Sequence, residues 1–401
     1  MSPQDFFKFL PVCCRPANTS SGLQEDFVAK LEIYIEFAQA GRVIPEDFVR
    51  QLEGLLGLLQ VLDDPSNLAN QSMHAVEQVE RLLEKDVLAS LVAQFHVLDL
   101  KARTLVVNIF SVLLRLGLPD GLNDQVLRYL THHKRLLDML LEGCHVEQIA
   151  LHCGLMLRSF IRHKETVQRI FEEQRIFSLV ELARHPSFEV SSDAFCSLRQ
   201  AFLEHKEQAA LWLVANSQDF FWRYHLLLEE TNYVGLRQAL KLLSDILLDP
   251  KLTRVMIPYV CDERHLQIHM NLLRDSSRIV RLEAFHVFKL FVANPQKPLK
   301  VQKILVKNKK GLMHLIEHLQ PGSVGEDVFA QDKEKVLVKL EKLMVLSPSP
   351  INSTKSKSLY NTPTGKDAGF DICDSASNIS TVASSADHLM ASHKLAIRMS
   401  I

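Results

Sequence analysis

Two helical segments with the same apolar pattern, 45 residues apart, constrain what this chain can fold into. In residues 235–248 and 279–293, apolar side chains recur three and four positions apart, which places them in one stripe along a helix. Each stripe starts at a small residue, Ala239 or Ala284, where a neighbouring helix can approach closely. A helical unit that recurs every 40–47 residues or so is typical of armadillo and HEAT repeats.

The same unit recurs earlier in the chain, where its small residue is Gly154 or Ala194 at spacings of 40 and 45. Between the marked helices lie amphipathic segments such as 124–141 and 166–183, so each unit has two or three helices. Glycine is sparse, and Val/Ile/Thr/Tyr alternation at period two is hard to find. We therefore predict an all-α fold, an armadillo/HEAT-like right-handed helical solenoid with disordered termini.

Composition divides the chain into three parts. Residues 1–22 carry three prolines and a polar run, and we predict a mobile N-terminal arm there. Residues 23–346 form the predicted armadillo-like helical repeat domain. From Ser347 the chain is rich in Ser and Thr and poor in large apolar residues, so it buries too little surface to offset the entropy of ordering. Residues 347–401 are therefore predicted to be a disordered Ser/Thr-rich tail.

Charge and hydropathy exclude two classes of partner. The net charge is −1, and nucleic-acid binding proteins usually carry a basic excess, so no nucleic acid is expected. No uncharged apolar run reaches about 18 residues, so we expect no membrane span. The seven cysteines form an odd, scattered set, which favours reduced thiols and a cytoplasmic location.

Motifs of catalysis and ligand binding are missing from the sequence. It contains no phosphate-binding loop, dinucleotide fingerprint, nucleophile elbow or H-E-x-x-H pair. We therefore predict that the protein is not an enzyme, with no catalytic residue, no cofactor and no small-molecule substrate. The Cys144-His145 and His152-Cys153 pairs offer zinc ligand types, but two helical turns separate them by about 11 Å. No metal site is predicted.

Three arginines lie close together in sequence, at Arg274, Arg278 and Arg281, with acidic residues nearby. Such a set usually forms a solvated, salt-bridged face. The alternative is a groove for an acidic peptide, because guanidinium groups pair well with carboxylates. The pattern alone leaves both interpretations open.

Several runs, in one order, carry a family resemblance. The most specific are NYV at 232–234 with RQ at 237–238, MNLLRD at 270–275, and EAFHVFK at 283–289. The chain resembles the calcium-binding protein 39 family of armadillo-like kinase scaffolds, over roughly residues 88–340. The resemblance implies a protein without enzymatic activity that binds protein kinases and pseudokinases of the Ste20-like group, including the STRAD pseudokinase. It also implies that the scaffold holds the kinase in its active conformation.

The resemblance further implies how the partner is bound. A concave face grips the kinase, and a pocket towards the C-terminal end takes a Trp-Glu-Phe type motif. In fungi and other microbes the family acts in polarity and cell separation. We therefore expect an allosteric kinase activator in intracellular signalling. The alternative is a generic helical-repeat adaptor without kinase specificity.

Three residues make up the predicted peptide-binding site, two of them implied by the resemblance and one by helical spacing. Arg237 matches the pocket arginine and Met270 a pocket-lining methionine, while Tyr233 lies four positions before Arg237 on the same helical face. Without the resemblance, Met270 would be interpreted as a core residue. Pro250 departs from the family, which has a basic residue at this position, so a weaker or altered peptide preference is expected.

Overall fold

The computed structural model describes residues 25–344 apart from four short segments, 64–68, 116–119, 230–231 and 321–325. Within these described residues the ordered elements are helices and none is a strand. The predicted all-α, armadillo/HEAT-like fold class is confirmed. The predictions of a mobile arm at 1–22 and a disordered tail at 347–401 fall outside the described residues.

Contacts divide the chain into two compact units, Met1–Ala239 and Leu240–Ile401. The boundary falls inside the helix Tyr233–Leu248, so each unit is described by itself. The predicted limits of the helical repeat domain, 23 and 346, stay a prediction.

The first unit is built from consecutive helices joined by short turns. Its helices are α1 Phe27–Gln39, α2 Asp47–Gln60, α3 Ala69–Glu84, α4 Val87–Ala93, α5 Leu100–Leu113, α6 Asp120–His132, α7 Lys134–Gly143, α8 Glu147–Ile161, α9 Lys164–Phe171, α10 Arg175–Leu182, α11 Phe188–Glu204 and α12 Lys206–Glu229. The helix that contains the boundary is α13, Tyr233–Leu248. Side-chain caps such as Asp99, whose carboxylate accepts the Ala102 N–H at 2.7 Å, start several of them.

The first unit repeats every three helices, because each helix packs on the helix three positions further along the chain. The contacting pairs form three stacks, α2–α5–α8–α11, α1–α4–α7–α10 and α3–α6–α9–α12. The marked helices of the sequence pattern, α5, α8 and α11, are consecutive members of one stack. The open choice between two and three helices per unit is therefore resolved in favour of three.

The two intervening segments each divide into a pair of helices. Residues 124–141 break at His133, whose Nδ1 accepts the Leu136 N–H at 3.1 Å and caps α7. Residues 166–183 break at Glu173 and Gln174, which have φ values of 49° and 61°. Positive φ is unusual for residues other than glycine and ends the helical hydrogen-bond ladder. These breaks supply the third helix of each repeat.

The second unit contains the end of α13 and six further helices in its described part. They are α14 Thr253–Cys261, α15 Glu263–Leu272, α16 Arg278–Ala293, α17 Leu299–Lys307, α18 Lys309–Glu317 and α19 Glu326–Glu341. Helix α16 packs on α14, α15 and α19, and its apolar stripe, which includes Phe285, Phe288 and Phe291, is fully buried. This burial is what the apolar spacing of residues 279–293 predicted.

Candidate functional site

The first turn of α13 is set by a side-chain cap. The Asn232 side-chain oxygen accepts the N–H of Gly235 at 2.9 Å, which satisfies one of the free donors at the start of the helix. The helix begins at Tyr233, and Arg237 follows one turn later on the same face. The predicted alignment of these two side chains is therefore what the cap and the helical period produce.

Helix α13 is held against two neighbours in the first unit. The buried Tyr224 hydroxyl of α12 donates to the carbonyl of Ala239 at 2.8 Å, and the Gln238 side chain donates to the Ser192 hydroxyl of α11 at 3.3 Å. A buried hydrogen bond of this kind contributes about 1 kcal/mol and fixes the rotation of the helix about its axis. These bonds therefore fix the direction in which the side chains on the outer face of the first half of α13 point.

The outer face carries an aromatic ring and a free cation. Tyr233 is 46% exposed and Arg237 is exposed. Within the described part of the chain, Arg237 has no ion-pair partner. A guanidinium group in this state is available to form a bidentate pair with a carboxylate, and an adjacent tyrosine ring offers an apolar surface with a polar end. We call Tyr233 and Arg237 the exposed pair.

Met270 lies in the second unit, on α15, and is only 5% exposed. The preceding residue, His269, is fully buried, and its Nε2 lies 2.8 Å from the Tyr259 hydroxyl. Tyr259 also stacks on His265, with ring centroids 4.2 Å apart. Met270 therefore belongs to a tightly packed region, and it presents at most an edge to a surface pocket. That it lines a peptide pocket with the exposed pair stays a prediction.

Pro250 has a clear structural role in the second unit. It begins a short 3-10 turn, Pro250–Leu252, in which the Asp249 carboxylate accepts the N–H of Lys251 at 2.9 Å. Proline suits the first position of a helical turn. An N–H group would have no partner there, so its absence in proline costs nothing, and the φ of proline is already helical. Pro250 therefore stiffens the turn that leads into α14.

The three clustered arginines are partly explained by local structure. One Arg281 guanidinium nitrogen donates to the carbonyl oxygens of Asp275 and Ser276, at 2.7 and 3.0 Å, in the turn before α16. Arg281 therefore closes this turn and contributes to the stability of the α15–α16 connection. This favours the structural interpretation for Arg281, and the acidic-peptide groove stays a prediction.

A partly buried carboxylate that sequence reasoning missed explains one of the small residues. Asp193 of α11 forms an ion pair with Arg158 of α8, and a Cβ atom at position 154 would overlap the Asp193 carboxylate. Gly154 is therefore small to admit a carboxylate, rather than to bring two backbones together. Burial raises the pKa of Asp193, and the Arg158 charge opposes that shift. The available sequence signal was an aspartate directly before Ala194, the small residue that marks this helix.

The cysteine and histidine residues considered for zinc do not form a site in the structure. Among the described residues, no group of three or more His, Cys, Asp or Glu side chains is placed to hold a metal ion. Cys144 and Cys153 are buried, and burial raises the pKa of the Cys153 thiol to about 12. A thiol in this environment stays protonated and is a poor ligand and a poor nucleophile.

The described helices were also compared with the requirements of a membrane span. Over the described residues, every helix is too short or too polar to cross a bilayer.

Comparison with known proteins places these helices in one family. A sequence model described as Mo25-like matches residues 23–344. The human protein named Calcium-binding protein 39-like is 30% identical over 326 residues, covering 76% of this chain and 96% of the human one. The resemblance predicted from the sequence is therefore confirmed, and the match reaches back to residue 23 rather than 88.

Two further relatives come from an alga and a filamentous fungus. The degreening-related gene dee76 protein of Auxenochlorella protothecoides is 35% identical over 294 residues, covering 73% of this chain and 88% of its own length. The conidiophore development protein hymA of Emericella nidulans is 30% identical over 353 residues, covering 80% and 90%. Mo25-like proteins are generally non-catalytic and generally act as scaffold partners of kinases. This chain belongs to the Mo25-like family of scaffold-type proteins.

Proposed function

We propose that this protein is a non-catalytic scaffold that binds and allosterically activates a Ste20-like protein kinase or a STRAD-like pseudokinase. The observation that carries the proposal is the exposed pair, Tyr233 and Arg237, on a helix that is fixed to its neighbours by hydrogen bonds. The pair lies within the region that matches the Mo25-like family. The resemblance implies that Arg237 is the pocket arginine, and Tyr233 shares its helical face.

Activation by such a scaffold is a shift in a conformational equilibrium. The scaffold must bind the active kinase conformation more tightly than the inactive one, because only differential affinity moves the populations. A tenfold preference corresponds to about 1.4 kcal/mol, and a shift from mostly inactive to mostly active needs roughly 5.5 kcal/mol. Contacts with a concave face, in addition to a tail peptide, would supply this larger difference.

The peptide contact is proposed to be electrostatic and apolar at once. The Arg237 guanidinium pairs with the glutamate of a Trp-Glu-Phe type motif, and the Tyr233 ring packs against one of its aromatic residues. Met270 is proposed as a further, adaptable apolar contact for the peptide. Since Pro250 lacks a positive charge, we propose that this pocket prefers motifs with less negative charge after the glutamate than its relatives do.

The peptide contact is tested by titrating a fluorescent Trp-Glu-Phe peptide with the full-length protein. We expect Arg237→Ala to weaken binding by roughly 10- to 100-fold, which corresponds to the loss of a charge-assisted hydrogen bond of about 1.5–3 kcal/mol. Arg162→Ala is the matched control, because Arg162 is also an exposed arginine with no ion pair among the described residues. Equal binding by both variants would contradict the assignment of Arg237.

Activation is tested with a purified Ste20-like kinase, assayed with and without this protein. We expect the kinase rate to rise with the scaffold and to rise much less with Arg237→Ala combined with Met270→Ala. A double variant that activates as well as wild type rules out the pocket. Should an unbiased affinity purification return only partners other than kinases, the generic adaptor without kinase specificity becomes the better description.

We also propose a cytoplasmic role in cell polarity and morphogenesis. The fungal relative is named for conidiophore development, a morphogenetic process, and this supports the proposal by analogy only. Deletion of the gene, followed by microscopy of cell shape and septation, tests it. Complementation by wild type but not by Arg237→Ala would connect the phenotype to the peptide pocket.

A further inference from the structure

Helix α17 carries a concentration of positive charge that neither the fold nor the peptide site requires. Residues 297–310 contain six lysines and no aspartate or glutamate, in a chain whose net charge is −1. Lys300, Lys303 and Lys307 recur three and four positions apart on α17, and all three are exposed. Helical spacing places them on one face. Exposed Lys310 follows at the start of α18.

The opposite side of α17 explains why these lysines face outwards. Val301 and Leu305 are fully buried and attach the helix to the second unit. At about 100° per residue, Leu299, Lys303, Lys307 and Lys300 fall within an arc of roughly 100° on the other side. We call these four residues the lysine face.

Most of this charge has no counter-charge in the part of the chain that the structure describes. Among the described residues, Lys303, Lys307 and Lys310 have no ion-pair partner. Lys300 pairs with Glu263 at 2.8 Å, but an exposed pair of this type contributes little and is easily exchanged. The lysine face is therefore a strongly cationic surface with mobile, solvated side chains.

Exposed apolar side chains border the lysines. Leu299 is 48% exposed and Met344, just beyond α19, is 73% exposed. The Gln302 side chain donates to the carbonyl of Met344 at 2.7 Å, which holds Met344 at the α17 end that carries Leu299. Basic residues with an adjacent apolar edge are typical of surfaces that lie on a bilayer, with apolar groups in the headgroup region and lysines at the phosphates.

A further lysine, Lys297, lies directly before α17. Its ammonium donates to the carbonyl of Asn294 at 2.6 Å. Burial, and then the nearby charge of Lys339 on α19, lower the pKa of Lys297 to about 8. An anion that approaches Lys297 would favour its charged form and offset this shift.

We propose that the lysine face, together with Lys310 at the start of α18 and with Met344, binds the surface of a membrane that contains anionic lipids. Clusters of four to eight lysines or arginines are typical of such contacts, and each contributes about 1 kcal/mol near the surface. The same charge suits nucleic acid less well. The segment 297–310 has no arginine for base edges and no aromatic ring for stacking. Lysines act as point charges and fit a diffuse anionic surface.

The test is sedimentation of the full-length protein with phosphatidylcholine vesicles that contain about one third phosphatidylserine. We expect binding to these vesicles and little to pure phosphatidylcholine. Replacing Lys303, Lys307 and Lys310 by glutamine should weaken binding by roughly 100-fold, at about fivefold per charge. Raising the salt from about 0.1 M to about 1 M should have a similar effect, because the screening length falls from about 10 Å to about 3 Å.

The matched control removes the same charge elsewhere. Lys85, Lys164 and Arg254 are exposed and have no ion pair among the described residues, so their replacement by glutamine should leave vesicle binding within about threefold of wild type. Equal loss in both triple variants would overturn the proposal, since net charge alone would then account for binding. Leu299→Ser should weaken binding by about tenfold even at high salt, and unchanged binding would overturn the apolar contact.

Two further outcomes decide the identity of the ligand. Free glycerophosphoserine should not compete with vesicles, because the proposal requires an extended surface. Effective competition would replace the membrane by a small anion site. A lysine-dependent affinity for a short RNA, without binding to anionic vesicles, would overturn the proposal in favour of nucleic acid. The assay contains no kinase, so its result is independent of the proposed kinase scaffold.

Discussion

Each unit contains an ion pair between helices three apart in the chain, and the two pairs differ in their exposure to water. In the first unit, Arg158 of α8 pairs with Asp193 of α11, and the side chains are 23% and 16% exposed. In the second unit, Lys289 of α16 pairs with Asp332 of α19 at 2.6 Å, and the side chains are 9% and 4% exposed. The second pair is more completely removed from water.

The difference shows how packed helices of a repeat are aligned along their length. Apolar stripes can slide past one another by a turn, whereas a buried charge tolerates only the position where its partner lies. Arg158 keeps some solvent contact, so a mismatch in the first unit can be partly hydrated. Lys289 has almost none, so we expect the second unit to depend more strongly on its pair.

The largest expected effect is therefore at Asp332. Asp332→Ala leaves the Lys289 ammonium buried without a counter-charge, and we expect the free energy of unfolding of the second unit to fall by about 3–5 kcal/mol. Urea unfolding, followed by hydrogen exchange of peptides from α16 and α19, measures this. The double variant Lys289→Met with Asp332→Leu should regain most of the loss. A loss below about 1 kcal/mol in the single variant would contradict the comparison.

Gly154→Ala is expected to have the next largest effect. The new methyl group overlaps the Asp193 carboxylate, so α8 and α11 must separate or the ion pair with Arg158 must rearrange. Overpacking of this kind costs about 1–3 kcal/mol, measured as a shift in the unfolding of the first unit. Gly57→Ala is the control, because a methyl group there meets no atom within 4 Å. Combining Gly154→Ala with Asp193→Ala should relieve the overlap.

Acid should affect the two regions in opposite directions. Burial, and then the charges of Lys289 and Lys241, lower the pKa of His286 to about 4, while Asp332 and Asp245 oppose this shift. The unfolded histidine titrates near 6.5, so between about pH 6.5 and 4 the unfolded state binds more protons and stability falls as the pH falls. The slope approaches about 1.4 kcal/mol per pH unit.

The raised pKa of Asp193 has the opposite sign. A carboxyl group that binds its proton more readily when folded contributes stability below the unfolded pKa, and this contribution is lost as the pH rises through the folded pKa. Urea titrations at several pH values test both effects. His286→Gln should flatten the acid-side decline, and an unchanged decline would show that His286 is not its source.

The smallest effect is expected from Arg158→Lys. Charge is conserved and the position is partly hydrated, so the loss is the fork geometry of the guanidinium, about 1 kcal/mol. Lys289→Arg, in contrast, adds volume to a nearly closed position and should cost about 1–3 kcal/mol. Thermal unfolding of both variants gives the comparison directly. The opposite order would mean that residual exposure does not control the tolerance of these pairs.

The helical repeat could largely be predicted from the sequence, whereas the points at which its helices end could not. The spacing of Ala239 and Ala284 located the repeat, because apolar periodicity reports burial locally. The break at Glu173 and Gln174 was missed, since their positive φ depends on how α9 and α10 pack rather than on a glycine or proline signal. For this reason the segment 166–183 was interpreted as one stretch instead of two helices.

The candidate site divides in the same way. Tyr233 and Arg237 were placed on one face by spacing alone, and the helix confirms that alignment. The hydrogen bonds that hold this helix in place involve Tyr224 and Gln238. Tyr224 donates to a backbone carbonyl and Gln238 donates to a side chain that is distant in sequence, and no sequence pattern reveals either contact. The nearly complete burial of Met270 also needed the structure, because the sequence of its helix does not reveal which residues cover it.

The sequence by itself determined that this chain is a stack of helices without a catalytic motif, because amphipathic period and missing motifs are local properties. Tertiary structure decided that the repeat has three helices, that Gly154 admits a carboxylate and that Lys289 and Asp332 face each other. The physical reason is that hydrophobic burial follows from a side chain's own spacing along the helix. The pairing of charges follows from where a different helix, many residues away, comes to rest.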